Sequence, residues 1–169
     1  MITIISGTNR PNSNSEKIAN FYNNLTPEKS QVLCLKDLPK DFVFADTFSE
    51  GSEEFNKIVT EKIINADRFI FVIPEYNGGF PGVLKAFIDA VPPKHFNDKK
   101  AALVGLSSGH TGALRPMDQF SDILHYLKVE VLSAKPKLSG IEKLMDKDEL
   151  VDERALDLLN DQIERFSKF

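Results

Sequence analysis

The sequence predicts a three-layer α/β fold in which helices cover both faces of a five-stranded parallel sheet. Three observations point there. Short runs rich in β-branched and aromatic residues alternate with segments of helical period along the whole chain. One run, RFIFVI at residues 68–73, is nearly continuous in large apolar residues, as a central parallel strand covered on both faces requires. Three of the runs end in loops rich in Gly, Ser, Asn or Thr, and ligands bind an open parallel sheet beyond the carboxyl ends of its strands.

The first strand is MITIIS at residues 1–6, followed by Gly7 and the polar loop TNRPNSNS. A helix opens near Ser15, with Ile18, Ala19, Tyr22 and Leu25 on one face, and Pro27 marks its end. Residues 31–35 (QVLCL) form the second strand. The stretch 36–51 holds Pro39, Phe42, Phe44 and Phe48 without a clean period, and it reads as an ordered excursion packed on the sheet. Ser52 suits the N-cap of a helix over 52–65, whose inner face is Phe55, Ile58, Val59 and Ile63. Pro74 ends the strand at 68–73. After EYNGGF comes a helix over 81–90, with Pro81 in the first turn, where a missing N–H costs nothing. The fourth strand is KAALVGL at 100–106, and the loop SSGHTG leads into a helix over 113–127. A fifth strand at 130–132 and a last helix over 147–167 complete the alternation. Right-handed crossovers are expected throughout. No repeat or Gly/Ser linker interrupts residues 1–169, so one domain is expected.

Composition narrows the function. The net charge of −4 over 169 residues argues against nucleic acid as the main partner, since duplex binders present a basic face. Cys34 is the sole cysteine; it reads as an inert core thiol, and no intrachain disulfide can form. His95, His110 and His125 are too far apart for a paired metal-ligand motif, so no metal site is expected. No stretch approaches the roughly 20 apolar residues of a membrane span, and the N-terminus lacks a basic region and a long apolar run. A cytoplasmic protein without a membrane partner is the expectation.

The loops carry the chemistry. In the first, Gly7 to Ser15, a strand runs into a helix N-terminus, where free backbone N–H groups and the helix dipole favour an anion. Thr8, Ser13 and Ser15 add hydroxyls, and Arg10 can pair with phosphate through two parallel bonds. The loop is neither GxGxxG nor GxxxxGK[ST], which disfavours a Rossmann dinucleotide site and a Walker NTPase. The same serines also suit plain helix capping. In the second loop, PEYNGGFPG, Gly78 and Gly79 permit positive φ and a close backbone approach to a planar heterocycle, with Tyr76 or Phe80 against its face. A Gly-Gly turn before a Pro-started helix is equally sound turn chemistry without a ligand. Glu75 reads as accepting backbone hydrogen bonds in its own turn, Lys85 and Asp89 as an exposed i,i+4 pair, and His110 as an exposed loop histidine.

The run PEYNGGFPGVLKAFID resembles the signature of the NADPH-dependent FMN reductase family, flavodoxin-like enzymes related to azoreductases and quinone reductases. GTNRPNSNSEKIA is similar to that family's GSxRxxSxxxKxA phosphate loop, with Thr8 for Ser. SSGHTGA resembles its SxGxxGG segment, with Ala113 where a second Gly is common. The resemblance implies a flavodoxin-like fold in which Thr8, Arg10, Ser13 and Ser15 hold the FMN phosphate. It implies that Pro74, Glu75, Tyr76, Asn77 and Gly78 follow the isoalloxazine ring, while Ser107, Gly109 and Gly112 close the other side. NADPH or NADH would then reduce the flavin, and a small acceptor (flavin, quinone, azo compound or metal ion) would take the electrons in a ping-pong cycle. That chemistry belongs to the cofactor, so no catalytic side chain is nominated. The resemblance also implies a homodimer or homotetramer. An electron-carrier flavodoxin without NAD(P)H oxidation is the alternative.

Overall fold

The computed structural model describes residues 1–169. Strand β1 (Ile2–Ser6) runs through the loop into helix α1 (Asn14–Leu25), and β2 (Ser30–Cys34) follows. A short helix α2 (Phe42–Ala45) and α3 (Glu53–Val59) lead to β3 (Arg68–Pro74), α4 (Gly82–Ala90), β4 (Lys100–Ser107) and α5 (Leu114–Tyr126). The chain closes with β5 (Glu130–Val131), β6 (Lys137–Ser139), the single turn α6 (Ile141–Leu144), β7 (Met145–Asp146), β8 (Glu149–Leu150) and α7 (Glu153–Lys168). The main sheet is parallel in the order β2-β1-β3-β4-β5, which is the flavodoxin-like order.

Alternation along each strand builds two cores. Ile2, Ile4, Ile70, Val72, Ala102 and Val104 face Ile18, Ala19 and Tyr22 of α1 and Leu159, Ile163 and Phe166 of α7. Ile5, Phe69, Phe71, Ala101 and Leu103 face Phe55 of α3, Phe87 of α4, and Phe120 and Leu124 of α5. Helices therefore cover both faces, as the apolar run of β3 requires.

The expected fifth strand over 130–132 is longer and broken. β5 pairs with the start of β4 and Leu132 N still donates to Ala101 O, residues 133–135 leave the ladder, and β6 pairs with the end of β4 through Ser107 opposite Ser139. The gap is filled from α7. Buried Gln162 donates from Nε2 to the carbonyls of Leu103 and Ala134, both at 2.8 Å, and its Oε1 accepts from Tyr22 Oη at 2.5 Å. Each of these polar groups would be costly to bury alone.

Other boundaries also differ from the sequence reading. The last helix starts at Glu153, not 147, because Asp152 caps it by accepting from Ala155 N at 2.8 Å. Residues 145–150 instead form a small hairpin of β7 and β8. The segment 36–51 packs through Phe42, whose ring stacks on Phe55 at 5.8 Å, whereas Phe44 and Phe48 stand 93% and 95% exposed. The helix expected over 52–65 is α3, capped by Ser52, followed by one π turn at Thr60–Ile64. Lys99 Nζ donates to the carbonyls of Ile63 and Ile64 at its end. Cys34 is only half-buried, and burial chiefly pushes its thiol up to about 11, so it is a poor nucleophile at neutral pH.

Candidate functional site

The carboxyl ends of β1, β3 and β4 bring the three loops together. Gly7 N donates to Val72 O at 2.9 Å, which presses the start of the first loop against β3. Thr8 is buried; its Oγ1 accepts from Arg10 N at 3.2 Å and shares a hydrogen bond with Tyr76 Oη at 2.8 Å. That bond ties the first loop to the second. Ser13 caps α1 by accepting from Glu16 N at 3.2 Å. The backbone N–H groups of Asn12, Ser13, Asn14 and Ser15 then donate to nothing within the chain. Ser15 is mostly covered but lines the cavity, and its hydroxyl makes no hydrogen bond within the chain. Arg10 is exposed, with no carboxylate within ion-pair distance. The neighbouring charges are used elsewhere, Glu16 with Lys36 at 2.5 Å and Lys17 with Asp148 at 3.1 Å.

The second loop is a tight two-residue turn. Tyr76 and Gly79 exchange backbone hydrogen bonds at 2.8 and 3.0 Å across Asn77 and Gly78, whose φ angles are +52° and +78°. Positive φ at both central positions is the geometry that Asn-Gly favours. Glu75 N extends the ladder by donating to Leu106 O at 2.9 Å. The Glu75 carboxylate takes a bond from Thr111 Oγ1 at 2.5 Å, so its partner lies in the third loop and not in its own turn.

The third loop is folded around Ser107. Its Oγ donates to Gly109 O and accepts from Gly112 N, both at 2.9 Å. Gly112 packs against the end sheet position: a Cβ there would lie 2.5 Å from Lys137 Cβ. Ala113 holds the left-handed conformation at φ +61° with its methyl buried. His110 is exposed, and its carbonyl accepts from Ser139 Oγ at 2.9 Å.

A fourth segment joins them, one the sequence reading did not select. Because Ser139 pairs opposite Ser107, the turn after β6 reaches the same edge as the other loops. Gly140 N donates to Gly109 O at 2.9 Å, and Glu142 Oε1 accepts from Ser108 Oγ at 2.6 Å. That bond, foremost, and the nearby Arg10 charge hold the Glu142 carboxyl below the usual carboxylate range.

Of the residues selected from sequence, Arg10, Ser13, Ser15, Pro74, Glu75, Tyr76 and Ser107 line one cavity of about 330 Å³. Leu106, Ser108, Ile141 and Glu142 complete its far wall. Thr8 lies behind the wall, bonded to Tyr76. Asn77, Gly78, Gly109 and Gly112 are outside the lining, the first two in the turn and the last two in the Ser107 network. A larger cavity of about 560 Å³ lies between α4 and α5, lined by Phe48, Ile88, Val91, Ile123 and Tyr126 among others. Its wall is mostly apolar and remote from the strand-end donors, so the smaller polar cavity is the candidate site.

Comparison with known proteins gives the family. The model of the family described as NADPH-dependent FMN reductase matches residues 1–140. An NAD(P)H-dependent FMN reductase of Pseudomonas aeruginosa is 34% identical over 128 residues, which cover 72% of this chain and 66% of that protein. A quinone reductase of Escherichia coli is 28% identical over 99% of this chain and 94% of its own length. Among solved structures, a flavoenzyme NAD(P)H:acceptor oxidoreductase of Paracoccus denitrificans superposes with a TM-score of 0.77 at 21% identity, over 99% of this chain and 94% of that one. At that identity the superposition speaks for the fold. With strand order, loop chemistry and the family pattern in agreement, the chain belongs to the NADPH-dependent FMN reductase family.

Proposed function

We propose that this protein is an FMN-dependent oxidoreductase that takes reducing equivalents from NADPH or NADH and passes them to a small acceptor such as a flavin, quinone, azo compound or metal ion. One observation carries the reading: four consecutive unpartnered N–H groups, from Asn12 to Ser15, lie in one cavity lining with the Ser15 side chain and with Arg10, which has no ion-pair partner. These are the donors a phosphate monoester needs, at a helix N-terminus whose dipole favours an anion. The residues present therefore fit FMN.

In this reading Arg10, Ser13, Ser15 and the loop amides bind the phosphate. Tyr76, fixed by Thr8, and the peptide units from Pro74 to Gly78 border the ring, while Ser107 and the loop it organises, including Gly109 and Gly112, form the opposite side. Bound FMN would supply the hydride-accepting centre. The chain itself contributes orientation and backbone donors, since the amides of Asn77, Gly78, Ser108 and Gly109 are also free of internal partners. Such fixed dipoles stabilise charge that develops during a reaction. No side chain is required to move a proton.

The assay is aerobic oxidation of NADPH and of NADH by the FMN-loaded protein, with free flavin, a quinone or an azo dye as acceptor. Consumption of either nucleotide is the expected result. Flavin binding without consumption identifies an electron carrier, and absence of any flavin-induced spectral change removes the FMN reading altogether.

The same proposal covers the remaining expectations. Residues 1–169 act as one domain in the cytoplasm, with no nucleic-acid or membrane partner, in keeping with the net charge of −4; no helix is long and apolar enough to cross a membrane. The chain pairs as a homodimer, or further as a homotetramer, through the face on which Phe48 and Tyr126 stand exposed beside the apolar groove.

A further inference from the structure

The candidate site is electrostatically unusual for one that takes a phosphate. Its lining contains one cation, Arg10, and two carboxylates, Glu75 and Glu142. Lys17, the next cation along α1, is drawn to Asp148 and to the Lys147 carbonyl, so it does not offset them. Glu75 is engaged by Thr111. Glu142 lines the same cavity as the first loop and accepts the 2.6 Å bond from Ser108. Ser108 is itself held in a loop pinned by Ser107 and by the Gly140–Gly109 bond. The carboxylate is exposed at the cavity rim, held toward it by the Ser108 bond.

Resting on the flavin reading above, we infer that Glu142 opposes the flavin phosphate by charge repulsion within the cavity they would share, and so sets how long FMN stays in the site. A phosphate entering the first loop meets one cation, Arg10, and this added carboxylate. Riboflavin, which lacks the phosphate, does not feel that repulsion. The inference assigns a specificity role to α6, an element outside the three loops. Its consequence is a site tuned to release FMN rather than to keep it.

Glu142→Gln separates this role from a structural one, because the amide still accepts the Ser108 hydrogen bond while the charge is removed. Dissociation constants for FMN and riboflavin are measured by flavin fluorescence on the purified full chain, together with the FMN release rate by stopped flow. FMN is expected to bind about tenfold tighter to the variant and to leave correspondingly more slowly, with riboflavin changed by less than twofold. An unchanged ratio of FMN to riboflavin affinity overturns the inference, and so does weaker FMN binding. If wild-type protein binds neither flavin, the flavin reading itself has failed; if it binds both and the ratio stays fixed, only the role of Glu142 has.

Discussion

At the scale of single residues, the phosphate assignment can be tested at Ser13. Asp is as good an N-cap as Ser, so Ser13→Asp preserves the cap on Glu16 N and the start of α1. It also places a full negative charge among the free amides of 12–15. FMN affinity is expected to fall about tenfold or more, equivalent to about 1.4 kcal/mol, while riboflavin stays within about twofold; equal losses for both ligands would remove the phosphate from this loop. Arg10, Ser13 and Ser15 were legible in the sequence because their loop joins a strand directly to a helix N-terminus. Ser108 and Glu142 were not. Their contact depends on Ser107 standing opposite Ser139, a register created by residues 133–135, which leave the ladder without any periodic signal. Glu75 shows the same limit, since its partner Thr111 lies 36 positions away.

At the scale of elements, long apolar stretches were read correctly and polar interruptions were not. β3 and β4 declare themselves through unbroken burial on both faces. The fifth strand stopped early in the sequence reading because a residue pattern does not show that Gln162, from a distant helix, will satisfy the carbonyls exposed at the break. The last helix was begun early because the acidic run before Asp152 fits a helix as well as it fits the hairpin of β7 and β8. The end of α5 supplies a prediction about stability. Lys128 is exposed at φ +58°, with Lys128 N donating to His125 O and Val129 N to Leu124 O, both at 2.9 Å. This is a left-handed helix terminus occupied by a residue with a Cβ, where Gly is preferred. Lys128→Gly is expected to stabilise by about 0.5–1 kcal/mol after allowing for the added freedom of the unfolded chain. That corresponds to a rise of about 1–4 °C in a thermal melt of a protein this size. A lower melting temperature would contradict the reading of that terminus.

At the scale of the whole molecule, the two ends of the sheet and one helical face have different characters. The carboxyl edge is polar and lined with free amides. The α4–α5 face is apolar and bears two large aromatic rings, Phe48 and Tyr126, that are 95% and 86% exposed beside a groove bordered by Ile88, Val91 and Ile123. A projecting ring and an apolar groove on one face allow a two-fold contact in which each copy fills the other. The Lys85–Asp89 pair at 2.7 Å lies on the groove's border and can exchange partners across such an axis. Light scattering should therefore give twice the chain mass at micromolar concentration. Phe48→Ser combined with Tyr126→Ser should give a folded monomer, since neither side chain is buried within its own chain. A wild-type protein that stays monomeric at tens of micromolar would exclude this pairing.

The Gln162 contact also bears on where this protein could be cut. The family pattern ends at residue 140, and a fragment stopping there would hold all three loops that contact the cavity. It would nevertheless lack the side chain that closes the split in the sheet, leaving the buried Leu103 carbonyl and Tyr22 hydroxyl, and the part-buried Ala134 carbonyl, without the partner they now have. It would also remove Leu159, Ile163 and Phe166 from the core that holds Ile4, Ile70 and Val104. The final helix contributes no residue to the candidate cavity, yet the packing of the preceding 140 residues depends on it.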